Sequence, residues 1–337
     1  MSAQSEAEVL VRGGGLYTTV QDTGRNGYYS LGIPPSGAMD QFSYRVANML
    51  AGNLDGAAVL EATYIGPTLE FTDERRVAVT GAEAPVSVNG EPVPMWQTLE
   101  VRPGDVLEFS MLTRGARLYI AISGGIGVPI YLGARSTYTL TGLGGFEGRK
   151  LADGDRLPLT LEERADPPGV GTTVPESLRP DLPSLVPLRT VIGLCSYRVT
   201  EESLRAFTET EWKVTKDADR IGYRLRGGRI DFVDRKPPHG AGSDPANVVD
   251  LGYPIGSIQV PGGDEPIVLL NDAVTAGGYA TVGTVVSVDQ DRIAQAKTGD
   301  HVHFEAVDLQ GALDARTDRR SRLERVQEAL REQNAHA

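Results

Sequence analysis

A chain of 337 residues with 45 acidic and 33 basic side chains has a formal charge of −12, which excludes the clustered cationic surface that nucleic acid requires. That length suits two domains with a core each, and 40 glycines with 21 prolines point to strands and turns rather than long helices. No apolar run reaches membrane-span length, the start MSAQSEAE is unlike a signal peptide, and one cysteine excludes an internal disulfide, so a cytoplasmic protein is expected.

In chain order, Val9 and Val11 open an alternating strand, and Thr19–Asp22 reads as the end of another. Gly24, Gly27, Gly32, Pro34, Pro35 and Gly37 then force a series of turns carrying Gln21, Asp22, Arg25 and Ser36. Asp40 is a good N-cap for a helix whose apolar stripe is Phe42, Val46, Met49 and Leu50, with Gly52-Asn53 as its stop. A second face of that helix is polar, with Gln41, Arg45 and Asn48. Strands follow over 57–61, 68–71, 76–80, 102–109 and 117–122, and Asn89-Gly90 marks a hairpin turn. Residues 161–187 are proline-dense and weakly patterned, a linker or a wrapping arm. Beyond them come a strand over 188–194 and a short helix over 201–210. The tail, 314–333, reads as a charged, solvated helix with a narrow stripe of Leu323, Val326 and Leu330. Cys195 has apolar neighbours and reads as buried and inert.

GPTLEF (66–71) echoes GGRIDF (227–232), and RPGDVLEF (102–109) echoes KTGDHVHF (297–304), in the same order. Repeated segments in a strand-rich chain favour two related β-barrel domains, placed at 1–160 and 188–308 with the linker between and the tail at 309–337.

Common catalytic signatures are absent: there is no GxxxxGK[ST] phosphate loop, no GxSxG elbow and no HExxH. The chain therefore offers ATP no standard cradle. His301 and His303 share one face of a strand without an evident third ligand, so no metal site is expected. His239 lies in the loop KPPHGAGSDP, read as flexible rather than as an acid–base site. Ile267–Leu270 reads as a short buried strand that delivers Asn271 and Asp272 to a glycine-rich turn. Asp272 is either a proton-accepting group at a ligand or a cap of its own turn. Arg25, with a fork suited to carboxylates, is either an anion anchor or half of an ion pair with Asp22 or Asp40.

Several motifs resemble the allophanate hydrolase subunit 2 family, which includes the C subunit of bacterial 5-oxoprolinase and half of the carboxyltransferase region of urea carboxylase. They are TTVQDTGRNGYYSLGIPPSGAMD (18–40), ANMLAGN, VLEATYIGPTLEF, LGARSTY (132–138), GLGGFEGR (142–149), DRIGYRLRGG (219–228) and GSIQVPGGDEPIVLLNDAVTAGGY (256–279). The chain departs from the usual pattern at Asn271, Val274 and Ala276. The resemblance implies a mainly β protein of two tandem cyclophilin-like barrels. It implies an ATP-using 5-oxoprolinase-type complex in which this chain works beside a B subunit, and a larger A subunit, to open a lactam or hydrolyse a small amide. The alternative is a carboxyltransferase moving CO2 to urea or a related amide from carboxybiotin on a separate carrier, since no Ala-Met-Lys-Met-like hairpin is seen here. A third class is a regulatory binder that antagonises a kinase inhibitor. The site expected from residues and resemblance together has Asp272, Asn48 and Gln259 as catalytic groups. Gln21, Asp22, Arg25, Ser36, Asp40, Pro261, Gly277, Gly278 and Tyr279 are expected to hold substrate, on two loops that converge.

Overall fold

The computed structural model describes residues 7–162, 164, 166–235, 239–240 and 242–335. The chain divides into two compact units: residues 1–25, 36–181 and 321–337 form one, and 26–35 with 182–320 the other.

The first unit is two antiparallel sheets around one core. One orders Arg156–Pro158, Glu8–Gly13, Thr68–Phe71, Val106–Phe109, Val86–Val88 and Glu91–Pro92. The other orders Tyr17–Gln21, Val59–Thr63, Arg114–Ile122, Arg75–Glu83 and Leu99–Val101. Strand alternation sends Val9, Val11, Leu69 and Phe71 inward from the first sheet and Val20, Leu60, Val79, Leu118 and Ile120 from the second, all essentially fully buried. Asn89 and Gly90 both have positive φ, 53° and 83°, the twist a two-residue hairpin turn needs.

The helix Gln41–Ala51 lies on the second sheet. Phe42, Val46 and Leu50 pack on Ala78 and Trp96, while Tyr44, Ala47 and Ala51 cover Val59, Tyr119 and Ala121. Both long faces are thus covered, and of the expected polar row only Arg45 is exposed. Residues 166–181 are an arm on this unit rather than a free linker. Thr98 donates its backbone N–H to Thr172 O at 2.8 Å and Val174 to Trp96 O at 2.9 Å. Val174 and Leu178 join the cluster of Phe42 and Trp96.

The second unit is a closed seven-stranded barrel. Its order is Leu185–Ile192, Thr281–Val285, Ser257–Gln259, Ile267–Leu269, Gly222–Arg226, Trp212–Ala218 and His301–Ala306, and the last strand pairs parallel with the first. Pro187 falls inside a strand expected to begin at residue 188. The Ser184 and Thr190 carbonyls face His301–Ala306, so Pro187 faces the other neighbour, whose pairing starts only at Thr190. Its missing N–H therefore costs no ladder bond. The short helix Glu201–Glu209, capped by Thr200, stacks Phe207 on Phe304 at 4.5 Å between ring centres. A separate two-stranded antiparallel sheet, Asn247–Gly252 with Ala276–Tyr279, is largely exposed.

The helix Leu309–Ala335 corrects the expectation of a solvated tail. In the second unit Ala315 packs on Val286 and Val288, and in the first Val326 and Leu330 are buried beside Phe42 and Trp96. The marginal stripe is stable because tertiary packing supplies what helix propensity does not. The internal echo is corrected in part. Both Gly-Asp copies lead into strands, but 227–232 makes only the isolated bridge Val199↔Phe232. No helix among the described residues is long and apolar enough to cross a membrane.

Candidate active site

Two clusters of the expected residues exist, one in each unit. In the first, the strand Tyr17–Gln21 carries Gln21 and Asp22 into the glycine turns, where the chain doubles back at Ser36 and Gly37. Ser36 has φ 54° and Gly37 φ 83°, and a Cβ on Gly37 would lie 2.8 Å from Gly24 N. The turn is closed by Gly37 donating its N–H to Gln21 Oε1 at 3.1 Å and Ala38 donating to Asp22 O at 2.9 Å. Gln21 Nε2 donates to Thr137 O at 3.1 Å.

Asp22 is a buried acceptor for three donors: Gly24 N at 2.8 Å, Arg135 N at 2.5 Å and the Ser136 hydroxyl in a short bond. Arg25, 1% exposed, donates from Nη1 to Ser36 Oγ at 3.1 Å and from Nη2 to Ser136 O. Where an anion anchor was expected, the Arg25 guanidinium braces 36 and 136 inside the fold. Gly144 marks how tight the brace is, since a Cβ there would lie 2.7 Å from Arg25 Nη2.

Asp40 is the helix N-cap, accepting from Ser43 N at 2.9 Å and from Ser43 Oγ at 2.6 Å. Its own N–H donates to Tyr119 Oη, whose hydroxyl donates to Glu61 Oε2 at 2.9 Å. Burial, and then the nearby carboxylates of Glu61 and Asp40, push the Tyr119 phenol well above its ordinary range, so it remains a donor. Asn48, expected to hold an oxyanion, donates from Nδ2 to Ala57 O at 3.0 Å and accepts at Oδ1 from Asn53 at 2.7 Å, so both ends of its amide fasten the helix terminus.

In the second unit Asp272 follows the strand Ile267–Leu269, as its sequence suggested, but it is not an open carboxylate. Arg220 grips it with Nε at 2.8 Å and Nη2 at 3.2 Å, and both side chains are about 95% buried. The carboxylate expected to act at substrate is thus one half of a buried ion pair. Arg220 was missed, although DRIGYRLRGG contains it.

The structure does bring together Gln259, Gly277 and Tyr279, around a residue that the sequence did not single out. Tyr253 Oη donates to Tyr279 O at 2.9 Å and accepts from Tyr279 N at 2.7 Å, and Gln259 hydrogen-bonds the same hydroxyl. Gly277 is required by this contact, because a Cβ would come within 2.9 Å of the Tyr253 ring. Burial lifts the Tyr253 phenol above its ordinary value, and the bonds from Tyr279 and Gln259 oppose that rise. Tyr29 donates its hydroxyl to Tyr253 O. Pro261 starts the one-turn helix Pro261–Gly263, and Gly278 lies in the exposed strand. The signal for Tyr253 was its position between two recognised motifs, a lone buried aromatic before a glycine strand.

Tyr253→Phe is expected to keep the fold and to cost about 1–3 kcal/mol, as the Tyr279 backbone groups lose a buried partner. Amide hydrogen exchange at Tyr279 checks this: it should accelerate while the barrel strands stay protected, and uniform protection would refute the assignment.

Among the described residues no group of three or more His, Cys, Asp or Glu is placed to hold a metal. The loop arginines do not fit a triphosphate either, because Arg25 and Arg220 are buried against protein oxygens.

Residues 31–306 match the family described as carboxyltransferase domain, subdomain A and B. The C subunit of 5-oxoprolinase from Escherichia coli is 34% identical over 321 residues, covering 95% of this chain and 98% of that protein. Urea amidolyase of Saccharomyces cerevisiae is 35% identical over 296 residues, 86% of this chain but 16% of the much longer relative. The crystal structure of Kluyveromyces lactis urea carboxylase superposes with a TM-score of 0.89 at 32% identity, over 95% of this chain and 29% of that one.

Proposed function

Because the chain belongs to the carboxyltransferase domain, subdomain A and B family, we propose that it is the C subunit of a 5-oxoprolinase-type complex, opening a lactam or a small cyclic amide with ATP in concert with a B subunit, plus a larger A subunit. The observation that carries this reading is its match to nearly the whole of a separate C subunit. The site offered to substrate is the Tyr253 centre, where the Gln259 side chain and the Tyr279 backbone meet one buried hydroxyl beside the exposed Ala276–Tyr279 strand. ATP would act elsewhere in the complex, since the arginines of this chain's site loops do not fit its phosphates.

A carboxyltransferase acting on urea or a related amide is the second reading, favoured by the superposition on urea carboxylase. The regulatory-binder class draws support from none of the relatives named above. Cytoplasmic residence belongs to either enzymatic reading.

The chain alone is expected to be inactive, because no complete set of acid, base and nucleophile lies among its candidate residues. The assay is ATP hydrolysis dependent on 5-oxoproline, with the chain alone and co-expressed with its A and B partners. Turnover only in the reconstituted complex supports the proposal. Robust turnover by the single chain refutes it, and carboxylation of urea by a carboxybiotin donor, with no lactam activity, selects the second reading.

A further inference from the structure

Arg198 ends the one-turn helix Ser196–Arg198 of the second unit and is 1% exposed. Its Nη2 donates to Pro245 O at 2.8 Å and to Asn247 O at 2.7 Å. Its Nε and Nη1 are buried and make no hydrogen bond to any of the described residues. No carboxylate among the described residues lies within ion-pair distance of it, whereas the buried Arg220 of the same unit has Asp272. A desolvated guanidinium without a counter-charge costs several kcal/mol, and two backbone carbonyls compensate only part of that.

The surroundings contain a second donor of the same kind. Residues 245–247 flank Ala246, whose carbonyl accepts from Ala280 N at 2.7 Å. The next residue, Thr281, is fully buried, and its hydroxyl also lacks a partner among the described residues. The Thr281 carbonyl in turn accepts from Cys195 N, at the start of the turn that carries Arg198. Thr281 stands opposite Gln259 in the barrel ladder.

We propose that Arg198, with the Thr281 hydroxyl, forms a buried site for one carboxylate group of a small ligand, at the base of the two-stranded sheet that includes Gly277–Tyr279. The charge selects the class. One guanidinium neutralises one carboxylate, the simplest match to a single buried positive charge. The inference does not depend on which reaction the complex performs, since it concerns an anion held by this chain alone.

The test uses the purified full chain and acetate as probe, with chloride replaced mole for mole to fix ionic strength. Thermal unfolding is read against acetate concentration, in parallel with sulfate. The wild type should be stabilised saturably by acetate, following the linkage between ligand occupancy and stability. Sulfate should give no saturable rise. Arg198→Gln should bind acetate at least roughly tenfold more weakly, having lost the charge-assisted contact. Thr281→Val keeps the side-chain size and should weaken acetate severalfold. A wild type without saturable acetate stabilisation overturns the proposal, as does sulfate binding as tight as acetate. Undiminished affinity in Arg198→Gln overturns it too. If that variant does not fold, undiminished affinity in Thr281→Val has the same force.

Discussion

Asp272→Asn is expected to lower the unfolding free energy by about 3–5 kcal/mol, because it leaves Arg220 as an unneutralised buried cation. The geometry makes the pair hard to replace: Nε and Nη2 both meet the carboxylate, and Asp272 N also donates to Arg220 O at 2.9 Å, so side chains and backbone close one loop. Urea denaturation gives the change, and Arg220→Met with Asp272→Leu provides the control. Removing both charges should recover much of the loss, since the cost lies in the unpaired partner and not in the absence of the pair. A single variant that loses activity in the complex while its stability is unchanged would restore Asp272 to a catalytic role.

The second large effect is expected at Asp22, where Asp22→Ala should cost about 3 kcal/mol or more by stranding the buried donors of Gly24, Arg135 and Ser136. The loss should propagate to Arg25, because Nη2 of Arg25 depends on the Ser136 carbonyl and Nη1 on the Ser36 hydroxyl. Asp22→Asn retains one oxygen but turns an NH2 toward donors, so its loss should fall between wild type and Asp22→Ala. Chemical denaturation of all three proteins decides the matter, and an Asp22→Ala chain within about 1 kcal/mol of wild type would refute the bracing role.

Local signals were well legible in the sequence. Asp40 caps its helix, Gly52 ends it with φ 77°, and Asn89-Gly90 turns its hairpin, since each depends on backbone chemistry within a few residues. Long-range partners were not legible. Nothing within a few residues of Asp272 announces Arg220, 52 residues away, or tells that Ser136 rather than a ligand will occupy Asp22. The polar loop residues attracted attention because polar groups near glycines often meet ligand, yet a buried turn must satisfy its own backbone donors first. Gln21, Asp22 and Asn48 do that work. Tyr253 escaped notice for the opposite reason: an aromatic residue reads as core, and only the fold shows its hydroxyl joined to Gln259 and Tyr279.

The parallel pairing of Leu185–Ile192 with His301–Ala306 has a consequence for the order of events during translation. The barrel's opening strand leaves the ribosome first, and its full-length partner is the last of the barrel strands to emerge. Until then that strand has an unsatisfied flank, the condition in which nascent chains stick to one another. Pro187 and Arg189 lie on the flank facing Thr281–Val285, whose pairing begins only at Thr190. A residue without an N–H and a charged one are poor templates for a stray strand, so the same proline that costs the finished ladder nothing guards this second flank until Thr281–Val285 arrives, while the flank awaiting His301–Ala306 has no such guard.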